Sequence, residues 1–150
     1  MPVTITPASP RDPGVTRLLR QSHALMLSMY DPGACHFLDI DALCAPGITL
    51  YAAEVDGRTV GCVALKRGPE YGEVKSFFVD PDARGLGVGR ALIAHLEAEA
   101  RAEGLTLLRL ETGVGLDAAQ TLYRSFGYAQ TGPFGAYEAS PVSLFYEKRL

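Results

Sequence analysis

The feature that most constrains this chain is a run of alternating glycines, Arg84-Gly85-Leu86-Gly87-Val88-Gly89-Arg90, set between a strand-like apolar stretch and an amphipathic helical pattern. Glycine leaves backbone N–H groups uncovered and permits left-handed torsions. A helix that begins straight after such a turn aims its unpaired N–H groups and its positive dipole end at the same point. The combination predicts an anion cradle at a strand-to-helix junction, of the kind that suits phosphate.

Two nucleotide readings of that cradle fail on spacing. A Rossmann fingerprint needs its first glycine directly after the strand, whereas Asp80-Pro81-Asp82-Ala83-Arg84 intervenes here. A Walker loop needs Gly-Lys-Ser/Thr, and Arg90-Ala91 follows Gly89 instead.

Patterning on either side supplies the rest of the architecture. Val3-Thr4-Ile5-Thr6, closed by Pro7, reads as a first strand. Ser9-Pro10-Arg11-Asp12 predicts a helix start with Ser9 as N-cap and Pro10 at the first helical position. Leu18, Leu19, Ser22, Leu25, Met26 and Met29 continue at helical spacing until Asp31-Pro32-Gly33 stops the helix. A short helical turn is expected over Asp39–Leu43. Residues 48–55 and 58–65 are strands joined by Asp56-Gly57, a strong hairpin signal. A third strand over Glu73–Val79 completes a meander that delivers the chain to the glycines.

Beyond the loop, Val88, Leu92, Leu96 and Ala100 recur every fourth residue up to Gly104. Leu105–Glu111 then reads as a buried strand parallel to 73–79, because a helical crossover precedes it. Asp117-Ala118-Ala119-Gln120 predicts a capping box for a helix through Tyr123 and Phe126. A loop of glycines and prolines from Thr131 to Pro141 separates the last two strands, the final one running through 143–148. The order is that of a mixed α/β fold.

The 150-residue length suits a single domain over 1–150 with a core that needs no staples. A net charge of −3 gives no electrostatic footprint for nucleic acid, so no such partner is expected. Cys35, Cys44 and Cys62 are odd in number and lack C-x-x-C spacing, which argues against a disulfide framework and against a metal site. Reduced thiols predict a cytoplasmic location. No secretion signal and no apolar run of about 18 residues is found, so no membrane association is expected.

Arg84-Gly85-Leu86-Gly87-Val88-Gly89 resembles the acetyl-CoA loop of the GNAT superfamily of N-acetyltransferases, and Leu122-Tyr123-Arg124-Ser125-Phe126-Gly127-Tyr128 resembles that family's Leu-Tyr-x-x-x-Gly-Phe/Tyr segment. The element order agrees over nearly the whole chain, and the tail 132–141 is similar to a subgroup of small bacterial members. The resemblance implies a central sheet of about six to seven strands, splayed between strand 73–79 and strand 105–111, with helices on both faces. It implies acetyl-CoA as cofactor, with Phe77, Phe78 and Val79 beside the pantetheine and an N–H near Phe77 polarising the thioester carbonyl. The pyrophosphate would lie on the backbone from Arg84 through Gly85, Leu86, Gly87, Val88 and Gly89 to Arg90.

By the same resemblance Tyr123 protonates the departing thiolate, and Glu73 is the candidate base; Tyr123 is otherwise a packing residue and Glu73 otherwise a partner of Lys75 or Arg109. Glu111 is a second acidic candidate, as base or as a site for a cationic acceptor. Tyr30, His36 and Phe37 are candidates on the substrate side. Phe134 and Tyr137 are read as walls of the acceptor pocket or of a homodimer interface. One departure stands out: Gly115-Leu116-Asp117 replaces the Asn or Gln that many members carry ahead of the tyrosine helix. The resulting expectation is transfer of an acetyl group to a primary amine of a small molecule or peptide through a ternary complex. The rivals are a non-catalytic acyl-CoA-binding module and a dinucleotide-dependent enzyme.

Overall fold

The computed structural model describes residues 2–150. Its elements are β1 (Thr4–Ala8), α1 (Pro13–Met29), α2 (Ile40–Leu43), β2 (Ile48–Val55), β3 (Arg58–Arg67), β4 (Gly72–Val79), α3 (Val88–Ala102), β5 (Leu107–Gly113), α4 (Asp117–Ser125), β6 (Ala129–Thr131) and β7 (Ser143–Arg149). They build a seven-stranded sheet in the order β1-β2-β3-β4-β5-β7-β6.

Strand patterning follows from cover on both faces, which makes near-continuous apolar runs the expected strand sequence. In β2, Leu50 and Ala52 join Val15, Leu18 and Leu19 of α1 in one core. Tyr51, Ala53 and Val55 face Val88, Leu92, Ile93 and Leu96 of α3 in the other. Each fully buried leucine in those layers contributes about 1.5–3 kcal/mol. At Gly61 the approach of α3 is so close that a Cβ would lie 2.8 Å from Val88 Cγ1. Asp56 and Gly57 take φ of 52° and 77°, as a primed hairpin turn requires.

Several expected boundaries move for local reasons. Pro7 lies inside β1, where an edge strand tolerates its missing N–H. The N-cap of α1 is Asp12, not Ser9: Ser9-Pro10-Arg11-Asp12 closes a turn through an Asp12 N to Ser9 O bond of 3.0 Å, and the second proline, Pro13, takes the first helical position. β5 begins at Leu107 because the Leu105 N–H bonds Ala100 O and closes the Schellman cap around Gly104. Asp117 does not form a capping box: Leu116 is the N-cap of α4 without a side-chain bond, and the Gln120 amide reaches Gly113 O at 3.1 Å.

Two irregularities shape the centre. β4 and β5 pair in parallel at Gly72–Leu108 and Glu73–Arg109, and no register pair between them continues beyond Glu73, so the sheet opens toward the end of β4 that feeds the glycine loop. On its other edge β4 bulges, since Val63 of β3 opposes both Ser76 and Phe77, with Ser76 at φ 54°. Such a bulge bends the strand and re-aims its backbone, here along the opening between β4 and β5.

Candidate active site

The opening between β4 and β5 is the floor of a cavity of about 730 Å³. The bulged stretch Ser76, Phe77, Phe78 and Val79 forms one wall; Glu111, Thr112 and Gly113 form the other. The end of α1 and the segment after it roof the cavity, where the Tyr30 hydroxyl donates to Val114 O at 2.5 Å. That clasp leaves no room for a side chain at Gly113, where a Cβ would overlap the Tyr30 ring.

The glycine loop closes one end. The buried Asp80 carboxylate accepts from Asp82 N at 3.0 Å, Arg17 at 3.1 Å and Arg58 at 3.3 Å, and so fixes the turn that begins the loop. Gly85 and Gly87 adopt φ of 82° and 77°, with nothing within 4 Å of the Cβ each lacks. Gly87 caps α3 without a side-chain bond, and the first intrahelical bond runs from Ala91 N to Gly87 O at 3.0 Å. The N–H groups of Val88, Gly89 and Arg90 therefore have no intrahelical acceptor. An open, amide-rich helix start of this kind fits the pyrophosphate of a CoA thioester.

Of the loop residues, Arg84, Gly85, Gly87, Val88, Gly89 and Arg90 line the cavity. Leu86 does not; it is 43% exposed and turned to solvent. Arg90 is held outward by Ser125 Oγ at 3.1 Å and by the Phe126 ring.

Tyr123 comes from the fourth helix, set on the sheet by the Gln120 bond to Gly113 and by packing of its ring against Phe77, Tyr128 and Tyr146. It is buried, it lines the cavity, and its hydroxyl has no hydrogen-bond partner among the described residues. Burial, and then the nearby Glu111 carboxylate, push its pKa above the usual tyrosine value, so the phenol stays protonated.

The two acidic candidates part company. Glu73 is buried but does not line the cavity; its Oε2 accepts from Lys75 Nζ at 3.1 Å and from Tyr137 Oη at 2.5 Å. Glu111 does line it. Burial raises the Glu111 carboxyl, while the Ser143 hydroxyl lies near enough to soften that shift yet outside hydrogen-bonding geometry. Tyr30, His36 and Phe37 also line the cavity.

Phe134 and Tyr137 do not line the cavity. Phe134 is buried against Tyr71 and Phe145, and Tyr137 reaches across to Glu73 on β4, so both tie the 131–142 segment to the other half of the sheet. Lys75, Cys35 and His23 line the cavity although the sequence did not mark them as site residues. His23 stacks on Phe37 with ring centroids 4.0 Å apart. Helical spacing places His23 beside Ser22 and Met26, but nothing local reveals the segment folding back over it.

A sheet split beside an amide-lined helix start, with a protonated tyrosine in the cleft, defines the acetyltransferase class of site. The profile of the Acetyltransferase (GNAT) family matches residues 16–128, and the chain belongs to that family. It is an N-acetyltransferase by class, and the family uses acetyl-CoA. It is 43% identical over 150 residues to a protein of Azospirillum brasilense named an IAA acetyltransferase, covering 99% of this chain and 98% of that one. A Klebsiella pneumoniae structure provisionally assigned as an acyl-CoA N-acyltransferase superposes with a TM-score of 0.83 at 33% identity, covering 99% of this chain and 97% of that one. The Thermoplasma acidophilum PaiA N-acetyltransferase, solved with coenzyme A, shares the fold at a TM-score of 0.76 and 16% identity over 100% of both chains. No helix among the described residues is long and apolar enough to cross a membrane.

Proposed function

We propose that this chain moves an acetyl group from acetyl-CoA to a primary amine of a small molecule or peptide, by direct transfer with both substrates in the one cavity. The observation that carries the reading is the continuity of that cavity, which runs from the free amides of Val88, Gly89 and Arg90, past Tyr123, to Glu111. The three free cysteines support a reducing, cytoplasmic setting.

Acetyl-CoA, when bound, supplies an activated acyl carbon and a thiolate leaving group. The loop amides and the exposed Arg84 hold its phosphates, and the Phe77–Val79 backbone orients the pantetheine. The bulge at Ser76–Phe77 frees a stretch of β4 backbone from the ladder, and an N–H there would polarise the thioester carbonyl. Glu111 Oε accepts the amine proton directly or through one water, and Tyr123 Oη delivers a proton to the sulfur. Glu73 acts from behind: with Tyr137 and Lys75 it fixes the wall on which the acceptor rests. A second assignment, Glu73 as base through a relay, has its burial next to Lys75 in its favour.

The test is release of free thiol from acetyl-CoA with a panel of amines, in wild type and Tyr123→Phe. Loss of the proton donor lowers kcat about 100-fold or more, with the melting temperature held, because no protein hydrogen bond is removed. An unchanged kcat removes Tyr123 from the mechanism; no thiol release with any amine overturns the reading.

A further inference from the structure

The end of the cavity away from the glycine loop carries a charge pattern that constrains the acceptor. Lys75 lies there with its side chain 8% exposed. An ammonium has three hydrogens to donate, and all three have acceptors: Tyr137 Oη at 2.8 Å, Glu73 Oε2 at 3.1 Å and His36 O at 3.4 Å. Glu73 neutralises its charge at the same time. The cation that a substrate carboxylate would seek is thus fully engaged by the protein.

Glu111 is in the opposite condition. It faces the cavity with no hydrogen-bonded partner among the described residues; Tyr30, Cys35, His36 and Lys75 lie near it, and Phe37, with His23 stacked on it, lines the same cavity. The other carboxylate on the lining, Asp117, is exposed to solvent at the start of α4, where screening weakens it. Lys75 is already paired with Glu73, so the half-buried Glu111 leaves one negative charge over, and one such carboxylate beside aromatic walls matches one cation on an apolar body. A carboxylate next to the amine would meet Glu111 as a like charge, and a polycation would leave its further charges without partners.

Resting on the acetyl-transfer reading above, we propose that the acceptor is a monoamine with an apolar, aromatic-sized body and no carboxylate beside its amino group, held by Glu111. Amino acids, polyamines and aminoglycosides are selected against.

The experiment compares 2-phenylethylamine, phenylalanine and spermidine, by thiol release and by calorimetric titration of each amine into the chain without acetyl-CoA. The expected kcat/KM for 2-phenylethylamine exceeds that of either competitor by about tenfold or more, and its binding is the tightest of the three. Phenylalanine equal or better, in turnover or in binding, overturns the exclusion of a carboxylate. Spermidine equal or better overturns the single-cation reading, and binding of none of the three overturns the proposal. Thiol release that prefers phenylalanine sinks this inference while leaving acetyl transfer intact; 2-phenylethylamine bound tightest but never acetylated does the reverse. Tyr137→Phe frees one Lys75 donor, so the phenylalanine to 2-phenylethylamine ratio of kcat/KM rises; an unchanged ratio in a folded variant removes the engaged lysine from the argument.

Discussion

As the proposed base, Glu111 would hold its place at the cost of stability. Burial keeps its carboxyl above the usual glutamate range, so the folded state favours the protonated form, and the stability this contributes is present below the unfolded pKa of about 4.3 and lost as pH rises through the folded value. Acceptance of a proton needs the ionised form, which is the less stable one. Wild-type kcat/KM is therefore expected to fall as pH drops through a value above that of an ordinary glutamate. Glu111→Gln loses that acid limb and about 10²–10⁴-fold in rate. The same variant melts higher than wild type at pH 7 and level with it at pH 4. A retained acid limb in the pH profile assigns the base elsewhere, and a variant that melts lower at pH 7 contradicts the burial argument.

At the scale of elements, the strand-loop-helix unit from β4 to α3 separates stability from binding residue by residue. At Gly87, φ of 77° makes any side chain strained by about 1–2 kcal/mol, yet nothing crowds the added methyl. Gly87→Ala is thus expected to melt slightly lower while weakening CoA binding by about tenfold, the loss of roughly one hydrogen bond. At Gly89 the added Cβ would stand 3.1 Å from both Leu122 Cδ2 and Phe77 Cζ, so Gly89→Ala costs about 1–3 kcal/mol of packing. Calorimetry with CoA, paired with melting curves, distinguishes the two; equal binding in Gly87→Ala and wild type would remove that turn from the cradle.

Asp80 prepares the same unit. Its pKa is depressed, first by the Asp82 N–H and then, against the opposing effect of burial, by Arg17 and Arg58. Its contribution is present above the unfolded pKa of about 3.9 and lost as pH falls through the folded value. Asp80→Asn should lose about 1–3 kcal/mol at pH 7, and the gap to wild type in denaturant titrations should shrink below pH 4. A constant gap would mean that the carboxylate charge is not what holds the turn.

Across the whole molecule, what the sequence discloses is what short stretches determine for themselves. Asp56-Gly57 and the alternating glycines announce left-handed turns, Gly104 announces a helix end, and the fourfold repeat from Val88 to Ala100 announces a buried face. Ser76 gives no such notice, because a serine with positive φ carries no glycine signal and the bulge exists only against Val63 of β3. Nor do the pairs that complete the site: Glu73 and Tyr137 are 64 residues apart and meet only because the segment between β6 and β7 crosses back to β4. Phe134 and Tyr137 look like pocket aromatics by composition, and topology makes them a latch.

That latch matters because the two halves of the sheet, β1 to β4 and β5 to β6, share just two register pairs at Gly72 and Glu73. Opening the sheet to admit a cofactor removes the ladder that would otherwise join them, so side chains must close the molecule. Phe134, buried against Tyr71, Tyr137 and Phe145, also lies under the Arg109 guanidinium and so spans the halves at their junction. Phe134→Ala is expected to lose about 3–5 kcal/mol and to speed hydrogen exchange first at Gly72, Glu73 and Leu108, ahead of the β2–β3 hairpin. The variant should bind acetyl-CoA more weakly although the residue touches no part of the cavity, because its removal lets the opening widen. Exchange that quickens evenly over all strands would instead mean that Phe134 stabilises the fold as ordinary core and does not set the angle between the halves.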